Sequence, residues 1–168
     1  FRGQRGAGDR AQPDAASFGD LNTIRFDRLG NLFVVDNNYE CHRNGRVVAF
    51  LAEDIGAIAM MFPAIEAKRV YGVEEFDQTD ICRVHAPFDH PFSPVSVAFN
   101  SANEMVIGND GYYRDPRLRA TKQLYLYRNP LKKTTPDAII DVSLGAAAEM
   151  YFDDADNLLV LDHTWNRL

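Results

Sequence analysis

A ten-residue spacing between a phenylalanine and a closing Asp or Asn occurs three times in this chain. The three copies run from Phe26 to Asp36, from Phe99 to Asn109 and from Phe152 to Asp162. In each copy an apolar strand ends at the Phe, a polar turn follows, and a second apolar strand leads to the closing residue. Hairpins repeated along one chain are typical of stacked or radial β architectures, so the spacing predicts an all-β fold.

The composition is that of a globular domain with an ordinary core. Of the 168 residues, 46% are hydrophobic and 25% are charged, and this length is typical of one domain. The formal net charge of -6 disfavours a nucleic-acid surface, which usually carries a basic balance. No apolar run approaches the roughly 18 residues that a membrane-spanning helix needs, so the sequence predicts no membrane span.

The strand pattern divides the chain, taken as one segment over residues 1–168, into hairpin units and an insertion. The hairpin repeats are predicted near residues 21–51, 95–142 and 148–168. Residues 52–92 carry no copy of the hairpin and are interpreted as an insertion. Within the insertion we predict one weak strand over residues 68–73 and another over residues 81–85. Residues 1–19 are predicted to form a loop.

After each closing Asp or Asn come a loop, a basic residue and a further strand. This order resembles the NHL repeat of six-bladed β-propellers. The first copy carries the resemblance at Asp27, Gly30, Asn31, Leu32, Val34, Asp36, Asn44 and Arg46. The third copy keeps Asp153, Asn157, Leu158, Val160, Asp162, Asn166 and Arg167. The second and third copies depart from the repeat at the turn, with Asn103-Glu104 in one and Asp156 in place of Gly in the other.

The resemblance implies an NHL-like β-propeller segment with an incomplete ring. Propellers close with about 4–8 blades of four strands, and this chain has room for about three. We therefore expect a fragment that is completed by the remainder of the propeller or by further copies of the chain. Apolar residues around Phe33, Val35, Leu159 and Leu161 would then be buried by other protein. A β-sandwich, in which turn signals also recur, is the alternative fold.

The resemblance also indicates where a metal could bind. Catalytic propellers of related shape, the gluconolactonase-like hydrolases and the amidating lyases, hold a metal on the ring axis through residues of several blades. The candidate ligands in this chain are Asn37, Asn109, Asp110 and His163, with Glu149 behind them. Oxygen-rich ligand sets suit calcium and histidine suits zinc. For Asp36 and Asp162 a structural role is favoured, because Asp at a strand end commonly caps the following loop.

One loop departs from the acidic average of the chain. It combines two tyrosines with four basic residues, namely Tyr112, Tyr113, Arg114, Arg117, Arg119 and Lys122. Basic residues beside aromatic ones can bind anions, acidic proteins or single-stranded RNA, as some NHL domains do. An acidic protein patch is the first partner we expect for this loop. The alternative is a solvated insertion without a partner.

These observations favour a non-catalytic scaffold that binds a protein or another ligand through residues 37–45 and 110–122, without a cofactor. The alternative is a metal-dependent lactonase or lyase of the same shape, with an axial divalent ion such as calcium or zinc. Cys41 and Cys82 could form a disulfide or remain separate thiols. Because bacterial NHL-like proteins are often exported, the resemblance implies a secreted or periplasmic protein.

Overall fold

The computed structural model describes residues 18, 21–37, 45–61, 65–73, 92–109, 123–142 and 147–162. Within these ranges the protein is mostly β. The strands are β1 (Leu21–Phe26), β2 (Leu32–Asn37), β3 (Gly45–Phe50), β4 (Arg69–Tyr71), β5 (Pro94–Phe99), β6 (Met105–Asn109), β7 (Gln123–Tyr127), β8 (Ala138–Asp141), β9 (Ala147–Phe152) and β10 (Leu158–Asp162). One helix, α1 (Ala52–Met61), lies between β3 and β4. No helix among the described residues has both the length and the apolar character needed to span a membrane.

The strands form three antiparallel sheets, each in the order of the sequence. Sheet 1 contains β1 to β4, sheet 2 contains β5 to β8, and sheet 3 contains β9 and β10. None of these described sheets closes on itself. The strand predicted over residues 68–73 corresponds to β4, whereas the one predicted over residues 81–85 lies outside the described residues.

The three hairpins share one register. The last residue of the first strand pairs with the first residue of the second, namely Phe26 with Leu32, Phe99 with Met105 and Phe152 with Leu158. In each hairpin the register also shifts near the closing residue, so that every hairpin contains a bulge at its far end. The spacing in the sequence therefore corresponds to three structurally equivalent hairpins, since both the pairing and the bulge recur at the same positions.

The three turns are closed in the same way by their first residue. The side chain of that residue accepts a hydrogen bond from the backbone N–H four positions later: Asp27 from Asn31 at 2.9 Å, Asn100 from Glu104 at 2.8 Å, and Asp153 from Asn157 at 2.8 Å. The fourth residue of each turn has a left-handed backbone, with φ of 83° at Gly30, 62° at Asn103 and 61° at Asp156. Glycine, asparagine and aspartate are the residues that adopt this conformation most readily.

The sheets stack face to face in the order of the sequence, and β5 lies against both β1 and β9. The layer between sheets 1 and 2 is a buried aromatic and aliphatic cluster centred on Phe33, Tyr71, Ile107 and Tyr127. The layer between sheets 2 and 3 is smaller and includes Val106, Leu124, Phe152 and Val160. Sheet 2 is thus covered on both faces by its neighbours.

On the other face of sheet 1 lies a helix that the sequence pattern did not predict. Ile55 of α1 packs with Leu32, Val34 and Phe50 in a separate apolar cluster. The helix starts directly after β3, where the backbone N–H of Ala52 donates to the Asn31 side-chain oxygen at 2.9 Å. A turn 21 positions earlier therefore supplies the N-terminal cap, which is why no local cap signal marks this helix in the sequence.

The expectation that other protein buries the residues around Phe33 and Val35 is wrong. Both side chains are fully buried by sheet 2 of the same chain. Leu159 and Leu161, in contrast, are 43% and 42% exposed on the face of sheet 3 that points away from sheet 2. The chain itself therefore covers the apolar face around Phe33 and Val35, and it leaves the face around Leu159 and Leu161 uncovered.

Neighbouring turns are joined by side chains in the left-handed positions. The Asn103 side-chain oxygen accepts a hydrogen bond from the backbone N–H of Arg28 at 3.0 Å. In the same way the Asp156 carboxylate accepts one from the backbone N–H of Ser101 at 2.8 Å, and a second from the Ser101 hydroxyl. The second and third turns therefore each hold the preceding turn through one Asn or Asp side chain.

The Ser101 contact makes the acidity of Asp156 a test of this packing. The Ser101 hydroxyl and then its backbone N–H hold the pKa of Asp156 below the ordinary value of an aspartate. A depressed pKa in the folded state contributes stability above the unfolded pKa, and this contribution is lost as the pH falls through the folded pKa. We expect Ser101→Ala to raise the pKa of Asp156 in a carboxylate NMR titration. The pKa of Asp153, which is lowered chiefly by the Asn157 side chain, should not change.

Candidate functional site

The end of the stack opposite the hairpin turns carries the polar residues that the sequence analysis singled out. We call it the loop end, and it is defined by Asp36, Asn37, Asn109 and Asp162, where β2, β6 and β10 finish. All four side chains are buried. The β2–β3 connection and the β6–β7 connection both start and finish at this end, because β2 and β3 are antiparallel neighbours, as are β6 and β7.

A buried ion pair fixes the first strand pair at the loop end. The Arg46 Nε donates to Asp36 Oδ2 at 3.0 Å, and neither side chain is exposed to solvent. The two residues are also cross-strand partners in the register of β2 and β3. The structural interpretation of Asp36 therefore agrees with the geometry, although its partner in this contact is a guanidinium group rather than a loop N–H.

Sheet 2 replaces this ion pair with neutral residues at the same register position. Asn109 stands opposite Gln123, as Asp36 stands opposite Arg46. The Tyr125 hydroxyl links the two residues, donating to Gln123 Oε1 at 2.8 Å and accepting from Asn109 Nδ2 at 3.5 Å. Because the position in sheet 2 has neither the carboxylate nor the guanidinium group, it holds no uncompensated buried charge.

Asn37 holds the loop ends of sheets 1 and 2 together. Its Nδ2 donates to the Ser93 hydroxyl at 3.0 Å and to the Pro94 carbonyl at 2.8 Å. Its Oδ1 is buried and has no hydrogen-bond partner among the described residues. An unsatisfied buried acceptor is unfavourable, so this oxygen is the atom at the loop end that most needs a donor or a cation.

Only two of the four candidate metal ligands lie within the described residues. Asn37 and Asn109 are both at the loop end, whereas Asp110 and His163 lie outside the described part of the chain. The Asn109 Oδ1 already accepts a hydrogen bond from the Ser93 N–H at 2.5 Å. Glu149 forms an ion pair with Arg25 between β1 and β9. In the described ranges no three His, Cys, Asp or Glu side chains converge in a way that could hold a metal.

The basic and aromatic residues of the proposed binding loop, Tyr112, Tyr113, Arg114, Arg117, Arg119 and Lys122, lie outside the described residues. The residues on either side of this loop are described: Asn109 ends β6, and Gln123 begins β7. Cys41 and Cys82 also lie outside the described ranges. Residues 110–122 therefore connect Asn109 and Gln123, which are both buried and are partners in the register of β6 and β7.

The strongly shifted pKa values among the described residues belong to the core rather than to the loop end. Burial raises the pKa of Tyr71 and of Tyr127, which lie between sheets 1 and 2. The Tyr71 hydroxyl donates to the Pro130 carbonyl at 2.6 Å. Both phenols are therefore neutral at physiological pH, and their burial gives them a packing role.

Comparison with known proteins adds no assignment to this geometry. No protein-family model matches the sequence, and no curated protein shows significant similarity to it.

Proposed function

We propose that this chain is part of an NHL-like β-propeller that acts as a non-catalytic binding scaffold. The proposal rests on the buried polar pairs at the loop end. These pairs fix the strand ends from which two long connections start. Asp36 pairs with Arg46, and Asn109 is linked to Gln123 through Tyr125. A rigid frame that presents variable loops is the arrangement that binding proteins commonly use.

The stacking of the sheets supports a propeller over a sandwich. Three sheets follow one another in sequence order, and the first strands β1, β5 and β9 lie next to each other. Blades of a propeller pack in this manner around an axis. A sandwich instead buries one face of each of two sheets, whereas sheet 2 is covered on both faces.

We propose an acidic protein surface as the partner of the basic loop at residues 110–122. The test is an NMR titration of the chain with a synthetic Glu-rich peptide, followed by the amide signals of Asn109 and Gln123 at the base of the loop. We expect salt-sensitive shifts at these amides that are lost in Arg117→Ser/Arg119→Ser. Lys132→Ser/Lys133→Ser removes the same charge between β7 and β8, at the opposite end, and should not change the shifts. Equal loss in both double variants would contradict a site at this loop.

The Oδ1 of Asn37 has no hydrogen-bond partner among the described residues, and it favours one second candidate, a metal-dependent lactonase or lyase with an ion at the loop end. Carbonyl oxygens of this kind are ligands for calcium. Titration with Ca²⁺ and with Zn²⁺, followed by the Asn37 side-chain amide signals, separates the two candidates. A stoichiometric ion that shifts these signals would favour the enzyme, whereas the scaffold predicts no such binding.

A further inference from the structure

The two contacts between the described sheets are repeats of one interface. On sheet 1, Phe33 and Val35 face sheet 2, and on sheet 2, Ala98 and Val106 face sheet 3. The following sheet contributes residues from its other face to the contact, such as Phe99 in the first interface and Phe152 in the second. Because successive side chains of a strand point to opposite faces, a sheet can pack on the preceding sheet with one face and on the following sheet with the other.

The hydrogen bonds between turns repeat with the same polarity. The backbone N–H of the second turn residue, Arg28 or Ser101, donates to the side chain at the left-handed position of the next turn, Asn103 or Asp156. The equivalent donor in the third turn is the backbone N–H of Asp154. No acceptor for this N–H is found in the part of the chain that the structure describes.

The third sheet also presents the apolar half of the same interface. Its face away from sheet 2, which we call the open face, carries Tyr151, Leu159 and Leu161. Tyr151 is 61% exposed, and the two leucines are also uncovered. Apolar side chains grouped in this way on a sheet face mark an interaction surface. The open face continues an interface that the molecule has already formed twice.

Sheet 1, at the opposite end of the stack, does not present the complementary surface through which a second copy could bind the open face. The left-handed position of the first turn is Gly30, which has no side chain to reach a preceding turn. A Cβ built there would lie 3.4 Å from the Ala52 Cβ, because α1 occupies this side of the turn. On the outer face of sheet 1, Leu32 and Val34 are already buried in a cluster with Ile55 of α1, although Ile24 and Phe26 remain 54% and 60% exposed. A second copy therefore cannot repeat the interface through its first sheet.

We propose that the open face binds a further antiparallel β-hairpin of the same repeat type, carried by a polypeptide other than a second copy of this chain. Its turn supplies an Asp or Asn side chain in the left-handed position, which accepts a hydrogen bond from the Asp154 N–H. Its apolar face covers Tyr151, Leu159 and Leu161. This surface is separate from the loop end, so the proposal does not depend on what the loops bind.

The test uses the 168-residue chain and a hairpin peptide as the probe. The peptide has the sequence of residues 147–162, is closed at its open end by a D-Pro–L-Pro turn, and is used once cross-strand NOEs show that it is folded. We expect saturable binding of one hairpin per chain, with shifts at the Asp154 amide and at the Leu159 and Leu161 methyl groups. An Asp156→Gly peptide should bind about tenfold more weakly or worse, since glycine keeps the turn but removes the charged acceptor. The Asp154→Asn peptide removes a carboxylate from the same turn and should bind as tightly as the parent.

Variants of the chain locate the binding surface. Leu159→Ser/Leu161→Ser should abolish binding, and Ile24→Ser/Phe26→Ser, on the exposed strip at the other end of the stack, should leave it unchanged. Failure of the folded hairpin to bind, or equal binding to the leucine variant, would overturn the proposal. It would also be overturned by a dimer of the chain that depends on Leu159 and Leu161 and that the hairpin does not displace.

Discussion

Replacing Arg46 with alanine should destabilise the protein by about 3–5 kcal/mol, because it leaves the Asp36 carboxylate buried without its counter-charge. Both side chains are fully buried, and their 3.0 Å contact joins β2 to β3 at the loop end. The free energy of unfolding, measured by urea denaturation, gives the size of the effect. Arg128→Ala is the matched control: Arg128 is largely exposed, 4.0 Å from Glu104, and its loss should change stability by about 1 kcal/mol or less.

The equivalent position in sheet 2 shows how this damage can be reversed. There Asn109 and Gln123 occupy the places of Asp36 and Arg46. We expect the double variant Asp36→Asn/Arg46→Gln to be more stable than Arg46→Gln alone, since the second substitution removes the uncompensated charge. If the double variant is less stable than the single one, the two register positions are not equivalent in their electrostatics.

Replacing Gly72 with alanine should destabilise the protein by about 2–5 kcal/mol, through backbone strain and overpacking together. Gly72 has φ of 91°, and a Cβ at this position would lie 1.9 Å from Phe92 Cδ1. Phe92 cannot retreat easily, because its ring packs on Tyr125 in the layer between sheets 1 and 2. Thermal and urea unfolding of the purified variant measure the loss.

Two other glycines and one double variant separate the causes of this effect. Gly30→Ala should cost only about 1–2 kcal/mol, because its backbone is also left-handed but its Cβ would meet Ala52 at an ordinary 3.4 Å. Gly56→Ala, in α1 with no described atom within 4 Å of the new Cβ, should stabilise by about 0.5–1 kcal/mol. In a Phe92→Ala background the cost of Gly72→Ala should fall to about 1–2 kcal/mol, which is the backbone strain alone, and undiminished destabilisation there would rule out the clash as a cause.

The strands of the three hairpins could be predicted from the sequence because their signal is local. Each has an apolar run, a polar turn and a closing Asp or Asn, and the continuous apolar run of β2 is buried along its whole length. The basic residue after the first closing Asp was also visible in the sequence, and in the structure this residue, Arg46, is the partner of Asp36. Patterns that repeat along the chain therefore gave the strands and part of the loop end.

Features that depend on distant contacts could not be predicted in this way. Helix α1 has Glu53 and Asp54 in its first turn, but it contains a glycine, Gly56, and takes its N-terminal cap from Asn31, so its own sequence carries no capping residue. Asn103 and Asp156 stood out in the sequence only as departures from the Gly of the repeat turn. In the structure they are the residues that bind the preceding turn, because a left-handed Asn or Asp can both close its own turn and present a side-chain oxygen to its neighbour. The departures were therefore the available signal for contacts between hairpins.

The stacking of equivalent hairpins in sequence order is tested most directly by NOEs between aromatic side chains of successive sheets. Phe33 on sheet 1 and Phe99 on sheet 2 have ring centroids 4.7 Å apart. In a selectively labelled sample we predict strong ring-to-ring NOEs between these two residues, and none from Phe33 to Phe152 on sheet 3. NOEs from Phe33 to Phe152 without any to Phe99 would contradict the order of the sheets and the account built on it.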